Sequence, residues 1–502
     1  MKISKLLTML LALCLCVTVL AGCVNNGGAE TSGTAGESKA PETESQTDEI
    51  KLPTEPGIYF NGKAVTFAEE GNTDLDLLSV ENGIEIVAVT EDGEGVKING
   101  KDYKSPVSLD VDAITREQTV SVEITKGEDT KTHTVNLMPS TFRDYVVEGK
   151  SETDGDFLMS TCDEKVNYVF KLNNDGDLIF YKKTGSNALD FRKEYNSKGE
   201  VRYTYMPYLA GEFCGIQGIN PGCVEILDEN YDVIEQVYFK GENGEDVLID
   251  PHGFVYIDDG HYIVTAYEDV VVKDIPAEYN AKDNSAYLAI LLMQEIKDGE
   301  ILWEFSSLDH PEFIDTTTVV KWDQSTDYCH DYVHFNSMCI DNDGNLLVSC
   351  RNINSILKVS RKDGSLIWTL GGKNDEFGLT ADQIFSKQHS IILTEDGNYM
   401  IFNNGNDEVA SGATGSSSVI RLKLDEENKK VVEYREVEAN FYSSYMGAIR
   451  EIDAENRIYL WTVGGAASTC DWTVVEYSEE TGATFKFHFD GGYRKMYAAN
   501  KG

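Results

Sequence analysis

Ile356-Leu-Lys-Val-Ser-Arg-Lys-Asp-Gly-Ser-Leu-Ile-Trp368 reads as two short strands joined by a turn at Asp363-Gly364. The unit is a β-branched or aromatic strand, a turn of Asp, Asn, Glu and Gly, and a second strand often ending in an aromatic ring. It returns at Tyr168–Tyr181, Val224–Glu235, Leu291–Trp303, Val419–Asn428 and Val474–Phe485. Counting the first, six copies recur at roughly 55 to 67 residues, a longer period than WD40 or kelch repeats but of the same kind. A second hairpin lies between copies, at Phe254–Thr265, Met338–Ser349 and Ile391–Phe402. Two hairpins make a four-stranded blade, and six blades close a ring that leaves few exposed edges. The prediction for residues 141–502 is a six-bladed β-propeller.

The same hairpins locate three histidines. His252 precedes its turn glycine, Gly260, by 8 residues, His389 precedes Gly397 by 8, and His334 precedes Gly344 by 10. The innermost strand of each blade lines the central channel, so these three imidazoles are predicted to open into one funnel. Arg351, Asn404 and Tyr267 each follow the turn glycine of their hairpin by 7 residues and return to the same end. Three imidazoles, a guanidinium, an amide and a phenol around one opening make an anion site. A three-histidine zinc site competes with this reading, but a permanently charged arginine beside it disfavours a metal cation. No metal and no cofactor is called for.

That positive charge must be local. The 502 residues carry 86 acidic against 43 basic side chains, a formal charge of -43, which excludes nucleic acid and anionic headgroups as partners. Alternating segments such as Ile84-Ile86-Ala88 and Val120-Val122-Ile124, with turn residues between, predict a small immunoglobulin-like or cadherin-like β-sandwich over 51–140. Its single histidine, His133, falls in a strand and is given no role; nor are His261, His310, His330 and His488.

The N-terminus reads as an export signal. Lys2 and Lys5 precede an apolar run from Leu6 to Leu20, and Leu20-Ala21-Gly22-Cys23 closes it. This resembles a bacterial lipobox and implies a signal peptide over 1–22, lipidation of Cys23 and a disordered tether over 23–50 rich in Gly, Thr, Ser and Glu. The expected location is outside the cell membrane or in the periplasm, held to the membrane by lipid alone. A single transmembrane anchor is the alternative. Among the remaining cysteines, Cys339 with Cys350 and Cys214 with Cys223 are candidate neighbours. Assembly as a homo-oligomer is left open.

At the histidines the chain resembles a known family. Asp331-Tyr-Val-His-Phe-Asn-Ser337, Ser349-Cys-Arg-Asn352, Lys387-Gln-His-Ser390 and Phe402-Asn-Asn-Gly405 are similar to motifs of the bacterial arylsulfate sulfotransferases, which move a sulfuryl group from a phenolic sulfate to an acceptor phenol without a nucleotide donor. The resemblance implies that His389 is the nucleophile, sulfated in a ping-pong reaction through a sulfohistidine. It implies further that His334 and Arg351 bind the sulfuryl group and that His252 completes the catalytic set. Asn404 and Tyr267 are expected to contact substrate. Asn403 stands where the family pattern has Asp, and the segment between Arg351 and His389 is short and lacks cysteine. The alternatives are a surface propeller lipoprotein that only binds a ligand and a metal-dependent propeller lyase or hydrolase.

Overall fold

The computed structural model describes residues 52–162, 165–406, 416–465, 470–491 and 496–502. The signal peptide, Cys23 and the tether lie outside the described residues. Among the described residues no helix is long and apolar enough to cross a membrane.

The repeats become six antiparallel blades. The copies read from the sequence form the two outer strands of each blade, as in Ser355–Val359 against Leu366–Leu370. The second hairpins form the inner strands, as in Phe335–Ile340 against Leu346–Cys350 and Ser390–Leu393 against Tyr399–Asn403. Glycines at the turns, among them Gly176, Gly344 and Gly397, take positive φ, a region open to glycine at little steric cost. This is why Asp-Gly and Asn-Gly punctuate the chain.

The ring closes through both ends of the propeller sequence. The C-terminal strand Asn500–Lys501 pairs with Phe157–Ser160 and becomes the innermost strand of the first blade. Tyr145–Gly149, upstream of that blade, pairs with Gly482–Phe489 on the outer edge of the sixth. At this joint Lys501 Nζ lies 3.3 Å from Glu476 Oε2, both side chains being essentially buried. Lys501 also contacts Ser151 Oγ and lies over the Phe157 ring, while Ser151 and Thr484 hydroxyls donate to Glu476 at 2.7 and 2.9 Å.

Other seams carry comparable ties. Arg361 and His261 meet on Glu295 between the third and fourth blades. Lys358 is ringed by Asp341, Asp343 and Glu426 between the fourth and fifth. Arg421 spans Asp396 and Glu451 between the fifth and sixth. The group of Asp341, Asp343 and Glu426 thus surrounds an ammonium.

Residues 52–140 contain two sheets that share one hydrophobic core with the propeller. Ile58, Ile86, Val122 and Val135 belong to the same cluster as Phe157, Phe170 and Phe485. One segment inside this region, Leu77–Ser79, leaves the sandwich and pairs with Leu178–Thr184 as an added outer strand of the first blade. His133 stacks on Phe67, ring centres 4.1 Å apart. The expected cysteine neighbours do not form. Cys350 opposes Phe335 and Cys339 opposes Leu347, a register that separates the two thiols, and Cys214 and Cys223 are free, the first exposed and the second buried.

Breaking the ring-closing pair leaves a buried charge without its partner, at a cost of about 3 to 5 kcal/mol. Glu476→Ala is therefore expected to lower the denaturant midpoint strongly. Glu148→Ala, which removes the exposed partner of Lys486, should cost under about 1 kcal/mol. Chemical unfolding of both variants checks this.

Candidate active site

The three histidines meet on the axis. The His252 and His334 ring centres are 5.2 Å apart and those of His334 and His389 6.5 Å. Together with Arg351 and Asn352 they line a cavity of about 600 Å³ whose walls include Tyr208, Tyr328, Tyr445 and Tyr497. A second chamber of about 150 Å³ shares His252, His389 and Tyr497 with it and reaches Arg192 and Arg450. There Asp190 pairs with both guanidiniums, and Asn500 bonds both Asp190 and Arg450, so the closing strand also fixes the channel beyond the histidines.

Each imidazole is held differently. His252 Nδ1 lies 2.6 Å from Asp250 Oδ1, on a carboxylate that is itself buried. Burial opposes the charged ring, but the charge and hydrogen bond of Asp250, helped by Asp331, outweigh it and raise the His252 pKa above its ordinary value. Gly253, next in the chain, is required by packing, because a Cβ there would lie 2.5 Å from the Phe335 ring.

His334 sits in the left-handed region, φ 51°, a conformation that costs a non-glycine residue about 1 to 3 kcal/mol. It is fixed from three sides. Its N–H donates to Asp331 Oδ1 at 3.0 Å, its ring Nδ1 meets Asp331 Oδ2, and its carbonyl accepts from Arg351 N–H at 2.7 Å. Arg351 is thereby placed across the hairpin from His334. Its Nη1 donates to Asn352 Oδ1 at 2.9 Å, and Asn352 Nδ2 donates to the Asp331 carbonyl. The spacing Asp331-x-x-His334 and Arg351-Asn352 is thus one hydrogen-bonded unit.

Among the described residues no carboxylate stands behind His389. Its Nδ1 lies 2.7 Å from Asn404 Oδ1 and 3.1 Å from the Lys387 carbonyl. The Asn404 amide is oriented by its other end, whose Nδ2 donates to the carbonyls of Ser443 and Met446. Two acceptors at Nδ1 place the proton there, so Nε2 carries the lone pair. Burial first, then the charges of Arg351 and His334, hold the His389 pKa well below its ordinary value. A neutral imidazole with a defined free nitrogen is what a nucleophile requires.

Two substrate contacts expected from the sequence are corrected. Asn404 is fully buried with both amide ends engaged, so it positions His389 and does not reach the cavity. The Tyr267 hydroxyl accepts the Phe335 N–H at 2.9 Å from behind the His334 strand. Asn403, the departure from the family pattern, accepts the N–H groups of Ser386 and Gly405 and shapes the turn around His389.

Sequence reasoning missed several residues. Asp331 falls in the first motif and Asp250 two residues before His252, and the sequence assigns neither a role. Tyr497 packs on His252 with ring centres 5.6 Å apart, and its hydroxyl lies against the carbonyls of His252 and Asn336. His330, given no role from the sequence, is buried in the cavity wall, where burial lowers its pKa. A long hairpin stands next to the His330 part of this wall. His261–Lys273 and Ser285–Lys297 form a hairpin of 13-residue strands, which runs on past the level of Tyr267 and bridges to His330 at Leu288.

The fold and site define a propeller enzyme with a histidine cluster on its axis. A family model described as arylsulfotransferase (ASST) matches residues 209–473, more than half of the chain and all of the motif residues above. The chain belongs to this family and is an arylsulfotransferase, for which a phenolic sulfate donor and a phenol acceptor are the implied substrates. No curated protein matches it. Similar solved structures include a protein of unknown function from Bacteroides caccae, with 10% identity and a TM-score of 0.41, covering 69% of this chain and 98% of that one. A catalytically inactive virginiamycin B lyase from Staphylococcus aureus has 10% identity and a TM-score of 0.32, with 69% and 100% covered. A protein of unknown function from Dyadobacter fermentans has 11% identity and a TM-score of 0.35, with 70% and 90% covered.

Asn404→Asp tests how His389 is held. A carboxylate at Nδ1 favours the imidazolium, so the His389 pKa rises and the neutral nucleophile forms only at higher pH. The acid limb of kcat/KM should move to higher pH, and activity lost near pH 6 should recover on the alkaline side. An unchanged profile would show that Asn404 does not govern His389.

Proposed function

We propose that transfer runs in two half-reactions through a sulfated His389. The observation that carries this reading is the unequal support of the histidines: an amide and a carbonyl behind His389, carboxylates behind the other two. His389 Nε2 attacks the sulfur of the donor, an N–S bond forms, and the S–O bond to the phenol breaks. His252, whose protonated form is favoured, gives its proton to the departing phenolate, a group with an ordinary pKa of about 10. In the second half the acceptor hydroxyl returns a proton to His252 while its oxygen attacks sulfur and the N–S bond breaks. Negative charge on the sulfuryl oxygens is held by the guanidinium of Arg351 with His334 beside it. Asp250, Asp331, Asn352 and Asn404 position these groups.

Double-reciprocal plots at several acceptor concentrations should be parallel, and one equivalent of phenol should be released per chain with no acceptor present. Intersecting lines with no such burst would mean direct transfer between the two phenols. Arg351→Lys should lower kcat/KM by about 100-fold, because a point charge does not reproduce the planar two-pronged contact. Near wild-type activity would show that charge alone suffices.

We infer also that the chain is exported and lipid-anchored at Cys23. The support is the basic start, the apolar run from Leu6 to Leu20 and the small residues before the cysteine. Cys23→Ser should leave an unlipidated precursor that takes up no label during growth with a radioactive fatty acid, whereas the wild-type protein is labelled; equal labelling of both would overturn the reading.

A further inference from the structure

The cavity has two zones of opposite charge. Its floor carries Arg351 and His252, and its wall carries Glu212. Glu212 is exposed, on the segment that leads into the turn Phe213–Gly215. That turn touches the tall hairpin where Cys214 Sγ lies 3.7 Å from the Tyr287 hydroxyl, and Tyr287 donates in turn to Asp269 at 2.6 Å. Among the described residues Glu212 and Asp331 are the carboxylates that line the cavity, and Asp331 is bonded to His334, whereas Asp269 is outside that lining. Among the described residues, Arg351 is the one lysine or arginine lining the cavity. Lys321 lies near His330 but outside the lining, and Lys282 is paired with Asp327. The rings of Tyr208, Tyr328 and Tyr445 line the same cavity.

From this arrangement we propose that the enzyme selects phenols bearing a cationic side chain, arylalkylamines, over those bearing a carboxylate, and that Glu212 is the residue that sets the preference. The proposal rests on the sulfotransfer reading above. With the reacting oxygen at the histidines, the far end of a para-substituted ring points toward the rim. An ammonium there meets Glu212, whereas a carboxylate meets like charge. A sulfated arylalkylamine has the same polarity as the cavity, with its anion at the floor and its cation at the rim. At such a half-solvated rim one charge pair is worth a few-fold in rate, and the effect is screened by salt.

Three acceptors of matched size test this: tyramine, 4-ethylphenol and 4-hydroxyphenylacetate, with one aryl sulfate donor held constant. In the wild type kcat/KM should fall in that order, with about tenfold or more between tyramine and 4-hydroxyphenylacetate. That ratio should shrink as sodium chloride is raised, and Glu212→Gln should reduce it at least threefold. The neutral phenol separates the two claims. Sulfation of 4-ethylphenol with no charge preference, or a preference unchanged in Glu212→Gln, overturns the assignment while leaving sulfotransfer intact. Failure to sulfate any of the three overturns both.

Discussion

Six innermost strands have to meet around one axis, and the last of them comes from the far end of the chain. That constraint organises everything else. Asn500–Lys501 closes the first blade, with Lys501 seated on Glu476 and Asn500 on Asp190 and Arg450. Tyr497, three residues earlier, lies against the backbone of both His252 and Asn336. Ring closure and site assembly are therefore one event. A chain that failed to close would lose the register of His252 against His334 as well as the stability of the seam.

The seams explain how an acidic protein keeps a cationic centre. Carboxylates are concentrated at blade-to-blade joints and outer turns, where they meet Lys358, Arg361 and Arg421. Of the carboxylates around the channel, Asp250 and Asp331 are each bonded to an imidazole and Asp190 is paired with two guanidiniums. Arg351 can then act on an anion although the chain carries a formal charge of -43.

Much of this was legible because blades repeat. Alternation with Asp-Gly and Asn-Gly turns revealed the strands, and similar distances from those turns brought His252, His334, His389 and Arg351 to one end. The same counting failed for Asn404 and Tyr267. Distance from a turn gives height along the channel, but whether a side chain faces the axis or the neighbouring blade depends on local twist and packing. Asn404 turns behind His389, and Tyr267 turns toward the Phe335 backbone. Tyr497 carried no signal because it lies outside any hairpin, and the tall hairpin over 261–297 was hidden because its tip has no repeat to compare with. The motif spacing, by contrast, has a physical origin. Asn336 bonds the Gln388 carbonyl, Ser337 accepts the Ile391 N–H, and Gln388 reaches Ser349. The matched residues are those that lock the fourth blade to the fifth beneath the site.

The central claim is that a neutral His389, with its proton fixed at Nδ1, accepts the sulfuryl group at Nε2. Intact mass spectrometry after brief incubation with donor alone, followed by peptide mapping at alkaline pH to preserve the N–S bond, tests it directly. The account predicts a gain of one SO3 on the peptide containing His389, absent in His389→Asn and discharged when a phenol is added. A wild-type chain that gains no mass, or gains it on a different residue, would contradict it.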